Sequence, residues 1–136
     1  MLVTAQETII QTLTDLGLFR TIDGWQGEVE DLIRVATKLP SAHIALGEIS
    51  FGDEPTAIGT KLSLDDNVWN ILITASNIRN RHSGAVECYT LIEAAVTALK
   101  MLPIADGWLW PVSAKLLYAK AGLSIYGISF VIENEQ

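Results

Sequence analysis

The spacing of apolar positions changes several times along the chain, and each change predicts an element. Between Thr4 and Leu16, the residues Ile9, Ile10, Leu13 and Leu16 share one helical face, with Gln6, Gln11 and Asp15 off it. Thr4 and Glu7 have capping-box spacing, and Gly17 stands where a glycine would end the helix. Leu18 to Ile22 suits a short strand. A second helix is expected from about Glu28 to Lys38, with acids in its first turn and Arg34 and Lys38 near its end, a charge order that complements the helix dipole. Pro40 stops it, and Ala42 to Phe51 resumes as a strand. Gly52 to Thr60 reads as a loop or a loosely held hairpin arm. Asn67 to Ser76 alternates cleanly, with Trp69, Ile71, Ile73 and Ala75 on one face and Asn70, Leu72, Thr74 and Ser76 on the other.

The polar residues of Ala85 to Lys100 form one narrow stripe of Glu87, Thr90, Glu93, Thr97 and Lys100. A helix apolar over the rest of its circumference is expected to be covered on more than one side. Two strands follow, about Leu109 to Ala119 and Leu123 to Glu133, with Lys120-Ala121-Gly122 between them as a hairpin loop. Strands and helices mix without regular βαβ alternation. That order predicts an α+β fold: a single domain over 1–136, with a mostly antiparallel sheet of about four to five strands and helices packed on one face.

Composition narrows the function. The chain has 136 residues, enough for one apolar core without disulfides or a structural metal. It is 49% hydrophobic and only 18% charged, against a usual charged share of about 25%. Part of that apolar excess is expected in contacts with other chains. Nine basic against 16 acidic residues give a net charge of −7, which argues against specific nucleic-acid binding and against an anionic membrane surface, since both need clustered Lys and Arg. No apolar run reaches the ~18–20 residues of a membrane span. The N-terminus lacks the basic start of a secretory signal, so a soluble protein made and used in a cytoplasm is expected.

Candidate chemistry is thin. Cys88, the sole cysteine, falls within the apolar helix pattern and reads as a packing residue. His43 lies in a strand among apolar neighbours and reads as a satisfied or partly exposed strand histidine. His82 lies in a polar stretch, and metal-binding histidine spacings are absent. The acidic pairs Asp53-Glu54 and Asp65-Asp66 lack calcium-loop spacing and read as solvated loops. No enzyme activity, metal or cofactor is expected. The better candidates are contact residues. Asn77 to Gly84 is a locally basic loop whose Arg79, Arg81 and His82 would grip an acidic neighbour or an anion, with Ser83 or Gly84 capping the following helix. Trp25, in a glycine-rich turn, and Trp108 and Trp110, flanking a Gly107–Pro111 turn, are interface candidates, whereas Trp69 belongs to a core face.

Arg20 to Leu46, and above all Gly27-Glu28-Val29-Glu30-Asp31-Leu32-Ile33 leading through Leu39-Pro40 into a strand, resembles the Mu-like bacteriophage and prophage family of tail proteins, of the tail-terminator type. The arginine-bearing loop before Gly84 and Tyr89 is also similar to the family's, and the likeness continues more weakly to the C-terminus. The resemblance implies a structural protein that forms a ring, as a homo-hexamer, at the head-proximal end of the tail. Such a ring would cap tube and sheath growth and contact head–neck connector proteins. Its implied partners are further copies of itself, tube and sheath proteins and the neck. Its implied location is the host cytoplasm during assembly and then the tail of a virion or phage-derived particle. The alternative from the residues is a small ligand-binding or regulatory α+β domain of a bacterial cytoplasmic protein, with Asn70, Thr74 and Ser76 as its polar hook.

Overall fold

A computed structural model describes residues 2–35, 38–51, 64–76, 81–104, 107–120 and 122–134. The chain opens with helix α1 (Leu2–Leu16), followed by strand β1 (Thr21–Gly24). A 3-10 turn at Val29–Asp31 runs into a single helical turn, α2 (Leu32–Val35). Strands β2 (Ser41–Phe51) and β3 (Leu64–Ser76) come next, then the long helix α3 (Arg81–Leu99). The chain finishes with β4 (Pro103–Ile104), β5 (Gly107–Lys120) and β6 (Leu123–Asn134).

The strands form one sheet in the order β1-β2-β3-β6-β5-β4. β1 runs parallel to β2 and every other pair is antiparallel. The α+β class stands, but the sheet has six strands rather than four to five. The additional strand is β4, a two-residue pairing of Pro103 with Trp108 and Ile104 with Gly107 that is too short to leave an alternation in the sequence.

The main core lies between the sheet and the two long helices. α1 contributes Ala5, Ile9 and Leu13, spaced four apart on one face, and α3 contributes Cys88, Leu91, Ala95 and Leu99. Beneath them lie Ala42 and Ile44 of β2, Trp69, Ile71, Ile73 and Ala75 of β3, and Ile128, Phe130 and Ile132 of β6. Ile104 and Leu109 close that layer at the β4–β5 end. This is the face that the alternation of β3 identifies. α3 packs on the sheet and beside α1, yet Tyr89 is exposed.

The expectation of helices on one face needs correction. Leu32, Leu72 and Ile125 make a second buried cluster on the opposite face, with Trp25, Val29 and Tyr118 packed around it. The 25–35 segment therefore crosses the far side of the sheet, and β3 is buried on both faces: Leu72 and Thr74 are as inaccessible as Trp69 and Ile71. The expected Glu28–Lys38 helix shrinks to the 3-10 turn and α2. Four helical residues are too few to be stable alone, so tertiary packing of Leu32 holds them.

Gly17 adopts φ +69° and donates its N–H to the Thr14 carbonyl at 3.1 Å, ending α1 as expected. Thr4 lies inside α1 and is not a cap: the Thr8 hydroxyl donates to its carbonyl at 2.8 Å. Thr12 and Thr14 bond back one turn in the same way, which occupies hydroxyls that would otherwise compete with the helix. Asp65 and Asp66 belong to β3, not to a loop. The loop or arm expected over 52–60 lies outside the described residues.

Two substitutions separate core from turn. Trp69→Ala, at a side chain 1% exposed, is expected to cost about 3–5 kcal/mol in chemical denaturation. Met101 holds φ +62° where α3 turns into β4, so Met101→Gly is expected to leave stability unchanged or raise it by up to about 1 kcal/mol in the same assay.

Candidate functional site

The far face of the sheet carries a groove of about 490 Å³ between the 25–29 segment and β5. Its walls are Trp25, Gly27 and Val29 on one side and Lys115 and Leu117 on the other, over a floor that includes Asn70, Leu72, Gly127 and Ser129. Register explains the floor. Asn70 faces Ser129 across β3 and β6, and the Ser129 hydroxyl donates to Asn70 Oδ1 at 2.8 Å. Gly127 pairs with Leu72, and a Cβ there would come within 2.7 Å of Leu117 Cδ1, so glycine lets Leu117 lie down against the sheet.

Deeper on this face, polar atoms are buried without protein partners. Ser41 pairs directly with Thr74, and neither hydroxyl makes a hydrogen bond. His43, 2% exposed, has an unpartnered Nδ1, and Trp25 meets its ring edge-on at a centroid distance of 5.8 Å with its own Nε1 also unpartnered. His43 is therefore a buried histidine rather than a satisfied or partly exposed one. Burial pushes its pKa below the ordinary value, opposed by the nearby charge of Asp23.

Cys88 lies in the main core, its thiol pushed up by burial and then by Glu87. Tyr126 and Tyr89 meet edge-to-face at 6.3 Å, and burial together with Tyr89 pushes the Tyr126 phenol up. No group of three or more His, Cys, Asp or Glu among the described residues is arranged to hold a metal ion. No helix among them is long and apolar enough to cross a membrane.

The six candidate contact residues scatter. Trp25 packs over the second cluster and lines the groove. Trp108 and Trp110 lie two apart in β5, and 107–111 is strand rather than the expected turn. Pro111 misleads here: its missing N–H is tolerated because it occupies an edge strand beside a bulge, and turns are not the only place for it. Trp110 is 39% exposed, with Lys100 Nζ 4.9 Å from its ring centroid, a cation–π contact. Arg79 lies outside the described residues. Arg81 and His82 open α3, so the expected loop is helical from residue 81 on and Ser83 and Gly84 are not caps; side chains there lie outside the described set.

Residue-by-residue reading places the strand of β5 but misses its exposed apolar surface. Beyond β4, its outer edge carries no strand among the described residues, and Val112, Leu116 and Leu117 are exposed alongside Trp110. Bulges at Val112 and Leu117 break the alternation, so the exposed side chains fall on both faces: Leu116 lies opposite Tyr126 on the helix side, while Leu117 lines the groove. The signal was present in the sequence: Leu116-Leu117-Tyr118 puts apolar residues on both faces of one strand, and 107–120 contains no acid.

Neither a family model nor a curated protein matches the chain. A solved structure does. A chain of the virion of a native gene transfer agent particle superposes with a TM-score of 0.56 at 16% identity, covering 93% of this chain and 91% of that one. At that identity the likeness is one of fold.

Acidification provides a check on the buried imidazole. A depressed folded pKa means that the unfolded chain binds the proton more readily, so His43 contributes stability above the ordinary value of 6.5 and loses it as pH falls below that value. Unfolding free energies from urea titrations should fall between pH 7.5 and 5.5 by at most about 1.4 kcal/mol per unit from this group. His43→Gln should flatten that part of the slope.

Proposed function

We propose that the chain is a structural subunit of a phage, prophage or phage-derived tail, and specifically a tail terminator that closes into a homo-hexameric ring at the head-proximal end. The observation that carries this reading is the fold match to a gene transfer agent virion chain over nearly the whole of both chains. The resemblance of Gly27–Ile33 and Leu39-Pro40 to Mu-like tail proteins supports it from the sequence side. Composition supports it too, because a chain with 49% hydrophobic and 18% charged residues has apolar surface to give to neighbours.

The mechanism is geometric. A ring of identical subunits uses one contact repeated until it closes. One face of the ring adds to the last tube and sheath layer, and the other lacks the complementary surface for further growth while it receives the neck. The −7 charge suits a ring through which DNA passes, since the wall would repel phosphate and not retain it.

A second reading has one observation in its favour. The groove could hold a small ligand against the Asn70–Ser129 pair and Lys115, as a ligand-binding domain would. Of the polar hook expected for that reading, Asn70 lines the groove while Thr74 is fully buried.

The test is to add purified protein to tube protein polymerising from the same gene neighbourhood and image the product. Expected are shorter tubes with a ring at one end only. Tubes of unchanged length with bare ends, together with a thermal shift of several degrees from a metabolite panel, would replace the terminator with the ligand-binding reading.

A further inference from the structure

We propose that the two ends of the sheet are complementary and that copies of this chain join head to tail, the exposed β5 edge of one against the α1–β1 end of the next. This names the subunit contact within the ring reading. It rests on that reading for closure, but the contact itself stands on separate observations.

The first is the distribution of exposed apolar residues. Among the described residues, the large ones are Val3 and Leu18 at the α1 end, and Tyr89, Met101, Trp110, Val112, Leu116 and Leu117 on the β5 side. The first pair brackets α1, which flanks β1 at one edge of the sheet, and the β5 group marks the other edge. Their dimensions agree. α1 has 15 residues, about 22 Å at the helical rise, and Trp110 to Leu117 spans about 20–24 Å at the strand rise.

The second is charge. Residues 2–24 hold Glu7, Asp15 and Asp23 against Arg20 alone. Residues 100–120 hold Lys100, Lys115 and Lys120 against Asp106 alone. Two β5 edges meeting each other would bring their lysines together, whereas β5 against the α1–β1 end pairs opposite signs. Complementarity therefore selects the head-to-tail arrangement.

The third is the form of the edge. Pro111, the lysines and the two bulges interrupt the outer backbone, features that block open-ended strand addition. Contact is thus made by exposed side chains along β5, chiefly Val112 and Leu116, with no extension of the hydrogen-bonded ladder. β1 is guarded as well, since the Gly24 N–H is taken by Asp23 Oδ1 at 2.8 Å.

The experiment uses two interface variants of the whole chain, followed by sedimentation velocity over a wide concentration range. Val112→Asp with Leu116→Asp removes the β5 surface, and Val3→Asp with Leu18→Asp removes the α1 surface. Each should raise the apparent dissociation constant of self-association by about 30-fold or more, with an unchanged far-UV spectrum and melting temperature. Should an aspartate variant lose its fold, serine at the same positions replaces it. Mixing the two variants should then produce one-to-one dimers and nothing larger, because each retains the surface the other lacks. A mixture that stays monomeric, or wild-type protein that is monomeric throughout, overturns the proposal. The tube assay separates the two readings. Wild-type protein that self-associates by this contact but leaves tubes uncapped removes the terminator and keeps the contact, while variants that cap as well as wild type remove the contact and keep the terminator.

Discussion

Everything else in the molecule hangs on the packing of β3 and β6 beneath α1 and α3. Trp69, Ile71, Ile73, Ile128 and Phe130 are almost wholly removed from water under Ile9, Leu13, Leu91 and Leu99. Side chains of that size each contribute roughly 1.5–3 kcal/mol when fully buried. The layer fixes register, because slipping either strand by one residue would turn its apolar set toward the opposite face. With register fixed, the positions of Asn70 against Ser129 and of Ser41 against Thr74 follow without further choice.

The two faces of the sheet are unequal in what they offer. The helix face is closed mainly by apolar contact, with Trp69 Nε1 as its one unpartnered buried polar atom among the described residues. Among the described residues, the far face is covered by the 25–35 segment, over Ser41, His43, Thr74 and Trp25 atoms that lack protein partners. An unsatisfied buried polar group costs about 1–3 kcal/mol, so this cover is the weaker of the two. Its main apolar anchor is Leu32, fully buried against Leu72 and Ile125. Subunit or neck contacts that lean on the 25–35 segment would meet the more adaptable side of the domain.

How far the sequence could be read follows from which forces are local. The alternation in 67–76 identifies the core face because one side of that strand meets helices and period two records that directly. α1 was legible from its apolar stripe and Gly17. The Glu28–Lys38 helix was overextended because dipole and charge order are weak terms, and a chain crossing the back of a sheet follows tertiary contacts instead. The Gly107–Pro111 turn was misread since proline serves edge strands equally. Trp110 stands out because a tryptophan is conspicuous; the exposure of Val112, Leu116 and Leu117 is not legible because it accompanies bulges, and a bulge depends on the partner strand.

An open sheet has two edges, and a protein that must assemble without aggregating has to treat them differently. β1 is four residues long, parallel to its neighbour and stoppered by Asp23. β5 is 14 residues long and carries exposed aliphatic side chains, yet its proline, bulges and lysines prevent indefinite ladder growth. That combination is poorly suited to an isolated monomer, for which exposed Val112 and Leu116 are a liability. It suits an edge that meets a defined, oppositely charged surface and then stops. A contact of unlike ends has a direction, and a directed contact between identical subunits closes into a ring when its rotation divides a full turn. The same asymmetry that keeps the sheet from extending by hydrogen bonds would leave side-chain recognition as the route to the proposed contact.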